Sequence, residues 1–142
     1  MITAAEMKNR TFDYEKFVTM PKCKGAFNQP DGSGCLLTAF WTALGYVIPT
    51  DGGILKHQMI GECLVATTML AKRAFPGRIY TLTNIVYITS TEFVDAIILN
   101  YDRGNESIAL DYLFELIEAV WGKKLDVPSA KVRVKEQLCQ IV

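Results

Sequence analysis

The sequence predicts a mainly α-helical fold, a compact single-domain bundle of about five helices over residues 1–142, with room for a small β element near residues 79–89. Three observations carry this. Apolar residues recur at helical spacing through several long segments. Helix punctuation brackets those segments: Thr3 with Glu6, Gly45, Pro76-Gly77 and Gly122. Half of the residues are hydrophobic and 11% are aromatic, enough for a real core in a chain of 142 residues.

Thr3 followed by Glu6 forms a capping-box pattern and opens a short helix with Met7 on its apolar side. A second helical stretch, residues 12–18, ends before Pro21. Residues 21–34 hold two prolines, three glycines, Asn28 and Asp31, all turn formers. From Cys35 the pattern becomes helical, with Leu36, Leu37, Phe40, Trp41 and Leu44 on one continuous face and Gly45 as C-cap. Residues 49–53 read as a turn. A long helix over residues 54–74 follows, placing Ile60, Cys63, Leu64, Thr67, Leu70, Ala71 and Ala74 on one side. Lys72 and Arg73 suit its C-terminal end, and Pro76-Gly77 stops it.

Residues 79–89 are dense in β-branched and aromatic side chains and read as a strand. Residues 89–92 form another capping box, with Phe93, Val94, Ile97 and Ile98 behind it. That helix ends near residues 100–104. Asn105 or Ser107 caps the next, in which two apolar stripes run side by side: Ile108, Tyr112, Leu113, Leu116 and Val120, then Leu110, Phe114, Ile117 and Trp121. A helix this apolar is either central or buries its second stripe against a partner; the sequence favours central. Residues 131–142 read as an edge strand or a last short helix.

Composition bounds the function classes. Fifteen basic and fifteen acidic residues give zero formal net charge, so the electrostatic footprint of a nucleic-acid binder is absent. A local basic cluster exists at Lys123, Lys124, Lys131, Arg133 and Lys135, without interleaved aromatics for base stacking. The N-terminal residues do not resemble a secretory signal. No apolar run approaches the roughly 20 residues a bilayer span needs. Four cysteines without a signal peptide read as reduced thiols in a cytoplasmic protein.

Cys35 carries the main chemical candidate. A glycine-rich loop delivers it to a helix N-terminus, where unpaired N–H groups and the helix dipole favour a thiolate and would lower the thiol pKa. The same position suits a small buried cysteine that starts a core helix. A tetrahedral metal site from Cys23, Cys35, His57 and Cys63 has the right ligand types but lacks the close pairs such sites use. Asp111, Glu115 and Glu118 align on one helix face, as a solvated face or a carboxylate cluster would. Residues 31–34 lack the Lys-Ser/Thr of a phosphate loop. The sequence predicts no cofactor and no bound metal.

Gln29, a Gly/Ser loop and then Cys35 on a helix resembles the start of papain-like cysteine peptidases, where a glutamine six positions before the nucleophile helps form the oxyanion hole. The resemblance implies catalytic roles for Cys35 and Gln29, with His57 as the only histidine able to serve as base. It departs from the family in placing that histidine shortly after the cysteine, and in having Leu36 where a tryptophan is usual.

A broader pattern joins Cys23-Lys24-Gly25-Ala26, Asp31-Gly32, the Cys35 helix and residues 100–120. It is similar to a family of small bacterial and phage proteins with no agreed activity. Thr38-Ala39 stands where that family has Gly-Ala, and Tyr101 interrupts its Asn-Asp pair. The resemblance implies a compact, mostly helical domain and no catalytic residue.

Three functions are expected, in order. The first is a protein-binding accessory module, phage-encoded and acting on a host factor in the host cytoplasm. The second is a cysteine-nucleophile hydrolase or transferase using Cys35, Gln29 and His57. The third is a small-ligand binder with a pocket under residues 23–34. A protein partner is expected, with a homodimer as one form of it, and neither membrane nor nucleic acid.

Overall fold

Short polar side chains decide where the first helices begin. Thr3 Oγ1 accepts from the Glu6 N–H at 3.1 Å and starts α1 (Ala4–Lys8). Asp13 Oδ1 accepts from the Lys16 N–H at 3.1 Å and starts α2 (Tyr14–Thr19). A computed structural model describes residues 1–20, 35–49, 53–82, 89–90 and 92–136. Five further helices follow among the described residues: α3 (Leu36–Ala43), α4 (Ile54–Ala74), α5 (Phe93–Asp102), α6 (Glu106–Trp121) and α7 (Val127–Glu136). The mainly helical expectation holds. Two short helices precede the five main ones.

The small β element expected near residues 79–89 is present. Two strands, β1 (Tyr80–Thr81) and β2 (Thr89–Ser90), pair antiparallel with Tyr80 opposite Ser90 and Thr81 opposite Thr89. Thr89 and Ser90 are used in this ladder, so they do not cap α5, whose N-cap is Glu92. The buried Asn100 of α5 donates to the Thr81 carbonyl at 3.0 Å, and the Tyr112 hydroxyl of α6 accepts from the Thr81 N–H at 3.0 Å. Arg78 lies over the rings of Phe75, Tyr80 and Tyr112 and pairs with Glu115. These contacts fasten the strand pair to the helices.

Helix α3 is buried almost all round, Thr42 being its one partly exposed residue. It ends in a Schellman motif: the Tyr46 N–H donates to the Trp41 carbonyl and the Gly45 N–H to that of Thr42. Gly45 has φ +89°, which a side chain would strain. Arg10 reinforces this corner. It stacks on Tyr46 at 3.8 Å, donates to the Leu44 carbonyl and pairs with Glu6, whose other oxygen accepts from Tyr46 at 3.1 Å.

Helix α6 is central, packing on α5, α4 and α7. Phe12, Phe17, Phe40, Phe114 and Trp121 form a connected aromatic cluster, with successive centroids 5.6–6.2 Å apart. The end of α6 also closes the chain onto its beginning. Trp121 Nε1 donates to the Arg10 carbonyl at 2.8 Å and Lys123 Nζ to that of Phe12 at 3.1 Å. Gly122, at φ +68°, makes the turn between them. The Asp126 side chain accepts from the Ser129 N–H just ahead of α7, which makes residues 131–136 helical; residues 137–142 lie outside the described residues.

Candidate functional site

Cys35 is the N-cap residue of α3, as the sequence reading has it. Its thiol is not lowered, however. Cys35 is only 6% exposed, and burial pushes the thiol up. The Thr38 hydroxyl, 3.5 Å from Sγ, and the backbone N–H groups of the first turn pull the other way without overcoming it. The charge of Asp102 adds to the rise. Desolvation therefore outweighs the helix dipole, and Cys35 has the surroundings of an inert core thiol.

His57 stands exposed in the first turn of α4, with its backbone N–H donating to the Gly53 carbonyl at 3.4 Å. No hydrogen bond joins it to Cys35 among the described residues. Gln29 and Cys23 lie outside the described residues, as does the expected pocket under residues 23–34. Cys63 is fully buried on the inner side of α4, and its thiol is pushed up to about 12 by burial and then by the charges of Glu62 and Glu6. Among the described residues, no three His, Cys, Asp or Glu side chains gather as metal ligands would.

The charged clusters of the sequence are used in packing. Asp111 pairs with Lys131 at 2.6 Å, Glu115 pairs with Arg78, and Glu118 accepts from the Leu125 N–H. Arg133 reaches Glu15 with two hydrogen bonds, at 2.9 and 2.7 Å. These contacts tie α7 to α6 and α2.

The surface that stands out is the outward face of α4. Ile60, Cys63, Ala66, Thr67, Leu70 and Ala71 turn into the core, where Thr67 accepts from Trp41 Nε1 at 2.9 Å. On the opposite side Ile54 is 84% exposed, Leu55 74%, Val65 61% and Met69 42%. Ile54, Gln58, Gly61, Val65 and Met69 follow one another at spacings of three or four, so they share one face. Beside it, Met1, Ile2, Pro49, Leu55 and Met59 line a shallow, mostly apolar groove of about 440 Å³. Val47 projects nearby in sequence, also exposed. The sequence reading named only the buried side of this helix. The signal was available as apolar residues at positions where a surface helix carries a polar strip.

No family model, curated protein or solved structure matches this chain. Among the described residues, no helix is long and apolar enough to cross a membrane.

Proposed function

We propose that this chain is a protein-binding module whose docking face is the outward side of α4. The observation that carries the reading is the exposure of Ile54, Leu55, Val65 and Met69 on one helix. Scattered exposed apolar residues are ordinary, but a contiguous set of them is a mark of an interaction surface. The nucleophile reading draws less support, because Cys35 is buried, its thiol is raised and His57 is not bonded to it. The extension to a phage-encoded accessory protein meeting a host factor in the cytoplasm rests on the family resemblance and the cysteine content alone.

The test compares the wild type with a Val65→Asp/Met69→Asp variant that keeps its helical circular dichroism. Both are immobilised and exposed to host lysate. The expected result is one stoichiometric partner held by the wild type and lost from the variant. Equal retention by both would move the docking face elsewhere. Alkylation of Cys35 faster than free cysteine, slowed by His57→Ala, would replace the binding reading with the nucleophile reading.

A further inference from the structure

We infer that helix α7 is a salt-released strap, which opens as a unit from the seam between α2 and α6 while the other helices stay folded. Its composition is the first argument. Val127–Glu136 holds no aromatic residue, no leucine and no isoleucine, and Ala130 and Val134 are the side chains it buries fully. Val127 is partly buried against the core, and Val132 stands 58% exposed. Helix α6, by comparison, buries Leu110, Leu113, Phe114, Leu116 and Ile117. Apolar burial stabilises in proportion to area, so two small side chains offset little of the entropy lost in ordering a helix of ten residues.

Packing under the strap is the second argument. A hollow of about 170 Å³ lies in the seam, lined by Ser107 and Leu110 of α6 and by Lys131, Val134 and Lys135 of α7. The two helices do not close on each other there, and the seam gains less than a filled one would.

The remaining hold is ionic. Lys131 reaches Asp111 of α6 at 2.6 Å. Arg133 takes both carboxylate oxygens of Glu15 of α2, at 2.9 and 2.7 Å, and lies over the Tyr14 ring at 5.8 Å. An ion pair thus ties α7 to each of the helices it lies against. The acids are open to solvent, the Asp111 side chain being 53% exposed and that of Glu15 68%. Pairs so exposed contribute little and are screened by salt. A segment held in this way opens before the helices beneath it.

The chain ahead of α7 allows the movement. Residues 122–126 carry no helix, and Gly122 turns the chain at φ +68°. Trp121 and Lys123 stay bonded to the carbonyls of Arg10 and Phe12, and the Leu125 N–H to Glu118 at 3.3 Å, so the swing begins after Leu125. Opening bares Leu110, which is 2% exposed under the strap, and releases the carboxylates of Glu15 and Asp111. The strap therefore hides an apolar surface separate from the α4 face.

The test is hydrogen exchange of the full chain in about 0.05 M and about 0.5 M salt, read by mass spectrometry on peptides from α7 and from the centre of α6. Helix α7 is expected to exchange at least about tenfold faster than the centre of α6, yet far slower than an unfolded peptide. The higher salt should speed α7 by about three- to tenfold and leave α6 unchanged. Glu15→Arg should speed α7 alone by a similar factor, and Glu15→Arg/Arg133→Glu should restore it. Exchange of both helices at one common rate would overturn the strap, since α7 then opens only with the whole fold. A faster α7 that responds to neither salt nor Glu15→Arg would overturn the ionic hold. Exchange of α7 at the rate of an unfolded peptide in both salts would overturn the closed state itself.

Discussion

Helices α4 and α6 are the two longest in the described structure, and both carry apolar residues on more than one side. They differ in what covers them. Around α6 stand α4, α5 and α7, so Ala109, Leu110, Leu113, Phe114, Leu116 and Ile117 are all buried. Around α4 stand α1, α5 and α6, all on one side. Its second apolar face meets solvent. The sequence marked α6 as the helix that must be central or partner-seeking, and α6 proved central. The helix with an uncovered second face is α4, whose outward stripe is diluted by Gln58, Gly61 and Thr68. An apolar stripe states that something must cover it, and only the packing says whether the chain does so itself.

The sharpest way to break this comparison is to cut into both helices and compare stabilities by urea unfolding. Phe114→Ala in α6 removes a ring packed edge-on against Phe17 at 5.6 Å, and should cost about 3–5 kcal/mol. Val65→Asp on the outer face of α4 should stay within about 0.5 kcal/mol of the wild type. Comparable losses would mean that the outer face is core. The inner face of α4 provides an intermediate case. Thr67→Val takes the acceptor from Trp41 Nε1 in a fully buried place, with an expected cost of about 1–3 kcal/mol.

A smaller effect of opposite sign is expected at Gly61. Its Cβ position is open, so Gly61→Ala should raise stability by about 0.5–1 kcal/mol through helix propensity. The same change adds bulk to the proposed docking face and should weaken partner binding. Stability and binding rising together would argue against that face.

The smallest effect concerns pH at the clasp of α1. Burial pulls the Glu6 carboxyl up, but hydrogen bonds from Arg10 and Tyr46 and the Arg10 charge outweigh it, leaving the group below its ordinary 4.5. The unfolded chain then takes up the proton first. This stabilisation is complete above pH 4.5 and drains as pH falls through the folded value. Glu6 is well exposed, so solvent screens much of it. At the alkaline side, burial and then the Glu6 hydrogen bond push Tyr46 up to about 12 from 10. Between those values the unfolded chain loses its proton first, and stability should decline. Glu6→Gln should flatten the acid limb and Tyr46→Phe the alkaline limb of midpoint plotted against pH.

Much of the fold was legible where a residue's local chemistry is decisive. Thr3 caps α1, Gly122 ends α6, and α4 runs over residues 54–74 between a glycine turn and Pro76-Gly77. The misreadings arose where tertiary contacts compete with local preference. Thr89 and Ser90 look like helix caps, yet pairing with Tyr80 and Thr81 claims their backbone. Glu6 looks like the reciprocal half of a capping box, yet Arg10 and Tyr46 claim its carboxylate. At Cys35 the dipole was legible and the burial was not, since burial depends on what the whole chain lays over that corner. Alkylation of Cys35 in the native protein should accordingly be slow at neutral pH and become fast on unfolding, as read by mass spectrometry.

The bonds from Trp121 and Lys123 to the carbonyls of Arg10 and Phe12 have a consequence for how the chain is made. They join positions 111 residues apart in sequence. A chain emerging from the ribosome exposes Phe12 and Phe17 well before the rings of Phe114 and Trp121 that complete their cluster. Helices α1 and α2 can settle on α3 and α4 first, but the edge of Phe17 that meets Phe114 stays open until α6 is made. Closing so long a loop is also a slow step, late in the order of events. A chain halted before residue 114 would therefore hold α1 and α2 against α3 and α4 while leaving the Phe17 edge that Phe114 covers open to solvent.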